Sequence, residues 1–496
     1  MGVATRRPVD QFQVNSMHIN QGYEALPYLS PGELHPALEE ILSLYQPIGG
    51  PVRKAVTYFG PGGGLHVNVG HSEYFNLNHI WQRMSNMSSL DTKLEQTIFA
   101  GGKGFDLFGM FVSSLGEAVE RCSGSLQCIM GAGEHVYGTY RELSTQGLRC
   151  LSPQDIPLFA PEQYRDKNFI FEPFTQDTTL GWIEGERLLT GEKVWVPAQL
   201  LELMHLLRPG EGLIGYAVSG GLSCHLTREE ALAHGIVELM ERDAINLRWY
   251  CSMPAEEIVM DVEPENPILR ELLDDLRHLP GEVKLYSHAM DFPEVNVITA
   301  VQLDPWLIRH SYNAGGGADL DREGALLRAL SEFGQSERTI QLAVMAPERI
   351  TGEAVSRMFD MDPDDPISKI NLFFKVIGYY GHRKNRRKLD WYLKGNRQIP
   401  FSSLPSSSGR TAAERFEIVT SMLRRHGIDP IVFDFSLPQL KELKVMKAFI
   451  PELTQAFVQS RPVFGHPRFK DAAGRRAPED GVLSYADLRV DPLPYP

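Results

Sequence analysis

Residues 238–243, Glu238-Leu239-Met240-Glu241-Arg242-Asp243, set two carboxylates three positions apart with an arginine directly behind the second. That spacing puts both acids on one face of a helix. The neighbours Ile236, Val237, Leu239 and Met240 are apolar, so the helix reads as packed into a core. The arrangement recurs upstream in Ser113-Ser114-Leu115-Gly116-Glu117-Ala118-Val119-Glu120-Arg121, flanked by Phe111 and Val112. It returns downstream as Glu332-Phe333-Gly334-Gln335 with Arg338, where an amide replaces the second acid and Leu326, Leu327 and Leu330 precede it. Acidic side chains are rarely buried without a partner. Half-buried carboxylates from three helices make sense around divalent cations and a polyphosphate, which points to a nucleotide-using enzyme. A lone Glu-x-x-Glu-Arg is ordinary on a solvated helix face; the recurrence carries the reading.

At 496 residues the chain can bury a substantial core in one large domain or a few smaller ones. With 43 % hydrophobic and 23 % charged residues it has the composition of a globular protein. A formal net charge of −14 argues against bulk attraction to nucleic acid or an anionic membrane. The five cysteines, Cys122, Cys128, Cys150, Cys224 and Cys251, are odd in number and contain no C-x-x-C pair. Neither a disulfide framework nor a thiolate zinc site is indicated, and a reducing cytoplasm is the expected location. No apolar run reaches membrane-spanning length, and Arg6-Arg7 has no apolar stretch behind it to make a signal peptide.

Working outward, residues 1–50 read as a Pro-rich N-terminal extension with a short helix at Pro36–Leu42. Residues 52–69 alternate as two strands around Gly60-Pro61-Gly62-Gly63-Gly64, a hairpin turn and not a phosphate loop, since no Gly-Lys-Ser/Thr follows. Three strand-to-helix units then follow. The first helix is expected from Asp106 to Cys122 with Gly124 as its C-terminal cap. The second unit pairs a strand at Leu213–Val218 with the turn Ser219-Gly220-Gly221 and a helix opened by a capping box at Thr227-Arg228-Glu229-Glu230. The third has a strand at Val297–Leu303, a loop at Gly315-Gly316-Gly317 and a helix from Asp321 to Arg338. A helix at Ala412–His426 and β patterns at Pro430–Phe435 and Val445–Ile450 complete an α+β architecture, helices gathered on a sheet. The catalytic domain is bounded at residues 51–482, and 483–496 form a tail ending in Pro492-Leu493-Pro494-Tyr495-Pro496.

This layout resembles the YcaO family, and within it the azoline-forming cyclodehydratases of ribosomal peptide natural products. Three ordered signatures carry the resemblance. They are Ser113, Glu117, Glu120 and Arg121 after Gly102-Lys103-Gly104; Ser219-Gly220-Gly221-Leu222 with Glu229-Glu230-Ala231 and residues 238–243; and Arg328-Ala329-Leu330-Ser331-Glu332-Phe333-Gly334-Gln335. The resemblance implies a YcaO-type fold, with helices packed on a mixed β-sheet and an ATP site between helices. It implies Mg²⁺ on Glu117, Glu120, Glu238 and Glu241, and ATP contacts from Ser113, Arg121, Ser219, Glu230, Arg242, Glu332, Gln335 and Arg338. Mg²⁺ prefers oxygen ligands shared between carboxylates, phosphates and water, which agrees with that set. Two positions depart from the pattern: Leu226 stands where the family usually has Asn, and Lys447 where an Arg is common. Lys keeps the charge and loses the bidentate fork.

The implied activity is ATP-dependent conversion of Cys, Ser or Thr in a ribosomal precursor peptide to thiazoline or oxazoline. The prolines of the tail favour a stiff polyproline II end, and the resemblance implies that this end points toward the site, with Pro496 as a catalytic group. Competing readings are a relative that makes a thioamide or a macrocyclic amidine, and a non-catalytic peptide-binding scaffold with a degenerate nucleotide site, motivated by Leu226. About 50 residues ahead of the core are too few for a leader-binding clamp plus linker, so a separate E1-like (ThiF-like) leader-binding partner is expected. A flavin-dependent azoline dehydrogenase and homodimerisation stand open as further partners. His225 and His234 flank the second signature without a zinc-ligand spacing and read as structural. The basic stretch His382–Lys388, continuing to Lys394 and Arg397 with Trp391 and Tyr392 interleaved, reads as a solvated face.

Overall fold

The computed structural model describes residues 36–46, 52–58, 64–74, 99–130, 135–304, 306–308, 311–345, 361–370, 374–395, 397–407, 409, 411–455, 461–472 and 484–495. Three sheets organise them. Helix α1 (Pro36–Ser43) precedes an antiparallel sheet of β1 (Val52–Tyr58), β2 (Asn68–Tyr74) and β3 (Phe99–Gly104), against which α2 (Leu107–Met130) packs. A second sheet contains β4 (His135–Thr139), β5 (Thr179–Arg187), β6 (Lys193–Pro197) and β7 (Leu222–His225), and later receives β13 (Ile431–Asp434) and β14 (Lys444–Phe449). Helix α3 (Arg228–Tyr250) lies against β14 and β7. The third sheet gathers β8 (Glu256–Val259), β9 (Glu282–Ser287), β10 (Asn296–Leu303), β11 (Tyr312–Asp319) and β12 (Gln398–Pro400), with α4 (Pro267–Leu276) and α5 (Arg322–Met345) beside it. Helix α6 (Phe374–Gly381) lies against β11, and α7 (Ala412–His426) packs on α3. Only β8–β12 is a parallel pair among the strands described, so the third sheet is mixed, the other two are antiparallel, and the α+β expectation holds. No helix among the described residues is long and apolar enough to cross a membrane.

Four local expectations need correcting. Helix α2 does not stop at Gly124 but runs on to Met130. Its glycine is there for contact: a Cβ at position 124 would lie 2.7 Å from Leu222 and 3.1 Å from Leu203. Residues 213–218 form no strand, because the N–H groups of Ile214 and Gly215 bond to the Gln199 side chain instead of a neighbouring strand. Thr227 caps α3 by accepting the Glu230 N–H, but the Glu230 carboxylate faces His225, 3.6 Å from its Nδ1, in place of closing a capping box. The Gly315-Gly316-Gly317 stretch is not a loop but the centre of β11, paired throughout with β10. A Cβ at Gly315 would sit 2.1 Å from the backbone nitrogen of Phe333, so glycine lets α5 lie directly on the strand. Backbone cannot retreat as a side-chain tip can. Gly315→Ala is therefore expected to destabilise the fold by about 3 kcal/mol or more, read from the midpoint of a urea melt.

A buried charged chain braces the long connection between β6 and β7. The carboxylate of Glu202 meets His135 Nε2 and His205 Nδ1, each at 2.8 Å, and His205 Nε2 meets Glu211 at 2.8 Å. Burial alone would lower the His205 imidazole, but its two carboxylate partners raise it to about 9. Since the folded value lies above the usual 6.5, this stabilisation is complete below pH 6.5 and is lost as pH rises through 9. Melting temperature is expected to fall between pH 7 and 9.5, and His205→Gln should remove most of that slope.

Candidate active site

Three helices deliver the acids to one place. On α2, Glu117 and Glu120 point from the same face, and Arg121 Nε donates to Glu117 Oε1 at 2.8 Å. On α3, Glu238 Oε2 accepts the Gly221 N–H at 2.9 Å, while Glu238 Oε1 lies 3.7 Å from Arg242. One turn on, Glu241 is 7 % exposed, its Oε1 3.1 Å from where a Gly316 Cβ would stand. On α5, Glu332 accepts from Lys103 Nζ at 2.9 Å and from the Gly316 N–H. Gly101 on β3 closes the other side. A Cβ there would lie 2.4 Å from Gln335 Nε2 and 3.5 Å from Glu117 Oε2. The absent side chain is what lets Gln335 of α5 and Glu117 of α2 approach the same point on β3.

The electrostatics show how close the carboxylates are. Burial, then repulsion from Glu117 and Glu238, pushes the Glu120 carboxyl well above its ordinary value. Burial likewise raises Glu241; Arg242 opposes the shift, and Glu332 and Glu238 add to it. Burial would also raise Glu332, but Lys103, Arg242 and the Gly316 N–H hold it down. Glu238 thus belongs to two groups, one with Glu117 and Glu120, the other with Glu241 and Glu332. Lys447 sits beside the first group. Burial drops its ammonium to about 8 against the pull of Glu238 and Glu120, and it donates to the carbonyls of Val218 and Gly220 at 2.8 and 2.7 Å.

The second group lines a solvent-connected cleft. Besides the acids it is lined by Lys103, Arg242, Arg328 and Arg415. Asp319 holds both new arginines: Arg415 Nη2 donates to its two oxygens at 2.9 Å each, and Arg328 Nε stands 3.4 Å away. Such a strip of opposed charges suits a polyphosphate and a dication together. Among the described residues no three His, Cys, Asp or Glu side chains form a ready-made metal cage. Mg²⁺ does not require one, since it takes one or two carboxylates and fills its shell with phosphate oxygens and water. The crowded negative charge at Glu120 and Glu241 is what a dication would relieve.

Other expected site residues lie at differing distances from this centre. Ser113 is half-buried one turn before Glu117, and Ser219 belongs to the turn that Lys447 and Glu238 hold at Val218, Gly220 and Gly221. Glu230 pairs with His225, about 12 Å along α3 from Glu238 by helical rise, and does not line the cleft. Arg338 is turned away, donating to Gln341 at 2.9 Å and to the Leu65 carbonyl at 3.3 Å. Leu226 packs against the core. His234 lines the cleft, and burial with nearby Arg328 keeps it neutral. The basic stretch makes ion pairs within the chain, Lys384 to Asp364, Lys388 to Asp491 and Arg397 to Glu256.

The described part of the tail, residues 484–495, is tied to the body. Trp249 Nε1 donates to the Asp491 carbonyl at 2.9 Å, and the hydroxyls of Tyr380 and Tyr312 donate to the carbonyls of Pro492 and Pro494. Tyr495 is 3 % exposed; its hydroxyl contacts Tyr392 and donates to Thr299 Oγ1 at 3.0 Å. Thr299 pairs across the ladder with Gly316, which lines the cleft, so Tyr495 is one hydrogen bond from the neighbouring strand. Pro496 itself lies outside the described residues.

Sequence reading missed Lys103, Asp319, Arg328 and Arg415 as site members. Arg415 left a signal: it shares the buried face of α7 with Val419 and Met422, where a charge requires a reason.

Comparison with known proteins places the fold and the family. A heterocyclase solved in complex with substrate and cofactor superposes with a TM-score of 0.72 at 20 % identity, covering 92 % of this chain and 57 % of the other. YcaO from Methanopyrus kandleri bound with AMPPCP and Mg²⁺ gives 0.57 at 19 % identity, covering 86 % and 94 %. The E. coli microcin synthetase McbBCD complex with pro-MccB17 bound gives 0.57 at 13 % identity, covering 91 % and 99 %. An uncharacterized protein of Methanothermobacter thermautotrophicus is 28 % identical over 281 residues, 55 % of this chain and 65 % of that protein. The chain therefore spans less than two thirds of that relative and of the heterocyclase. A family profile described as YcaO cyclodehydratase, ATP- and Mg²⁺-binding, matches residues 101–454, which take in all three acidic helices. The chain belongs to the YcaO family.

Proposed function

We propose that this protein is an ATP-dependent cyclodehydratase that converts Cys, Ser or Thr of a ribosomal precursor peptide to thiazoline or oxazoline. The observation that carries the reading is that Glu238 is shared between Glu117 and Glu120 on one side and Glu241 and Glu332 on the other, the latter lining one cleft with Lys103, Arg242, Arg328 and Arg415. In the reaction, the substrate thiol or hydroxyl adds to the preceding carbonyl carbon and loses its proton. The resulting oxyanion takes the γ-phosphoryl group of ATP, giving ADP. Loss of the amide N–H proton and of phosphate then leaves the C=N bond of the ring. The peptide loses the elements of one water.

Positioning and charge neutralisation are what the protein must supply. Lys103, Arg242, Arg328 and Arg415 are placed to hold the phosphates. Glu117, Glu120, Glu238 and Glu241 would hold Mg²⁺, which when bound screens the phosphate oxygens. Lys447 balances Glu120 and Glu238 and fixes the turn at 218–220. The azoline form of the reading is supported by the Pro492-Leu493-Pro494-Tyr495 segment, which resembles that of azoline-forming members and reaches Thr299, the ladder partner of Gly316. A separate E1-like partner would supply leader recognition.

Mass spectrometry of the precursor after incubation with this protein, Mg²⁺-ATP and the partner tests the proposal. A loss of about 18 Da per ring supports it. Exchange of oxygen for sulfur would assign thioamide formation, and an unchanged mass with no phosphate release would leave a peptide-binding scaffold.

A further inference from the structure

Ring formation needs an acceptor for the proton of the substrate thiol or hydroxyl, and the acids of the cleft are otherwise committed. Glu332 accepts from Lys103, Glu238 accepts the Gly221 N–H, and Asp319 holds Arg415 and Arg328. Glu238 and Glu241 are also carboxylates given to Mg²⁺. One side chain of the cleft has no such engagement. His234 stands on α3 four residues before Glu238, about 6 Å along the axis, and lines the cleft. It is half-buried, and among the described residues its ring makes no hydrogen bond and pairs with no carboxylate. Neither ring nitrogen is sealed from solvent, so the ring opens to the cleft. The His225 ring packs against it with centroids 5.1 Å apart, and His225 Nδ1 lies 3.6 Å from Glu230.

The charges acting on His234 come from other elements. Burial, then Arg328 of α5, His225 of β7, Arg415 of α7 and Lys103 of β3, keeps the imidazole neutral. A bound triphosphate offsets those cations, so an imidazolium formed beside it is stabilised where it would be costly in the empty cleft. We infer that His234 is the general base of ring formation, taking the proton of the substrate Cys, Ser or Thr as its sulfur or oxygen adds to the carbonyl carbon. This rests on the azoline reading. Once the carbonyl oxygen carries the γ-phosphoryl group, the imidazolium returns its proton to the departing phosphate as the C–O bond breaks. The amide N–H proton passes to water, and the C=N bond is left. A hydroxyl needs this help more than a thiol, which ionises unaided near pH 8.5.

The test compares the parent with His234→Gln and His234→Ala at about pH 8.5, on precursor carrying either Ser or Cys at the cyclised position, with the partner and Mg²⁺-ATP. His234→Gln is expected to slow ring formation by about 10²–10³-fold at Ser and by about tenfold or less at Cys. Added imidazole should speed His234→Ala at Ser by about tenfold or more and leave the parent unchanged. The affinity of both variants for Mg²⁺-AMPPNP should stay within about twofold, which also reports folding. Equal losses at Ser and Cys, or nucleotide affinity falling in step with the rate, overturns the inference. A second readout needs neither nucleotide nor peptide. Diethyl pyrocarbonate, which acylates accessible neutral imidazoles, should label His234 as well as the exposed His278; His278 labelled without His234 would also overturn it. If the parent removes no water from any precursor, the azoline reading fails and takes this base with it. Water loss that survives in both variants sinks the inference alone.

Discussion

Glu238→Gln is expected to lower precursor-stimulated phosphate release by about 10²–10³-fold, with the melting temperature within a few degrees of the parent. Glu238 is the one side chain shared by both acidic groups, coupled to Glu120 on one side and Glu241 on the other. Glutamine retains an oxygen for the Gly221 N–H, so the turn between residue 218 and β7 keeps its anchor. What it removes is the negative charge between the two groups, the part a metal-bound triphosphate would use. A scaffold with a degenerate nucleotide site predicts no change in phosphate release, which makes the variant decisive between those readings. Steady-state phosphate release with and without precursor, beside a thermal melt, is the measurement.

Lys447→Met should cost about 100-fold in the same assay and about 3 kcal/mol in stability. The ammonium is buried, stands beside Glu120 and Glu238, and donates to two backbone carbonyls. Removing one member of a buried charged set leaves the others uncompensated, the costly way to break it. The freed turn would also loosen Gly221 from Glu238. Because both effects meet at the cleft, the KM for Mg²⁺-ATP should rise along with the fall in kcat. A urea melt and an ATP titration separate the two contributions. Retained activity would mean that Lys447 serves packing alone.

The acidic helices were legible because the i, i+3 spacing of acids within apolar runs is a local signal, repeated three times. Helix α7 was legible for a similar reason, Thr411 capping it and Gly427 closing it in the left-handed conformation. What local pattern could not show was contact between distant segments. Gly124 and Gly315 read as a cap and a loop, since a glycine required by a neighbour's approach looks the same in sequence as one required by a turn. Residues 213–218 read as a strand because their apolar content is visible, whereas Gln199, which takes up their N–H groups, lies outside the stretch. Lys103, Arg328 and Arg415 are single charges on separate elements, and only the packing of β3, α5 and α7 brings them to one cleft. The tail's prolines announced stiffness, but not the hydroxyls of Tyr312 and Tyr380 that bury it.

A crystal structure of this protein with a non-hydrolysable ATP analogue, with Mn²⁺ replacing Mg²⁺ so that anomalous scattering locates the ion, tests the central claim most directly. The account predicts metal peaks between α2 and α3, within about 2.0–2.3 Å of oxygens from the Glu117, Glu120, Glu238 and Glu241 set, with the phosphates reaching Lys103 and Arg242. Nucleotide and metal bound away from these helices, with the four carboxylates untouched, would contradict it.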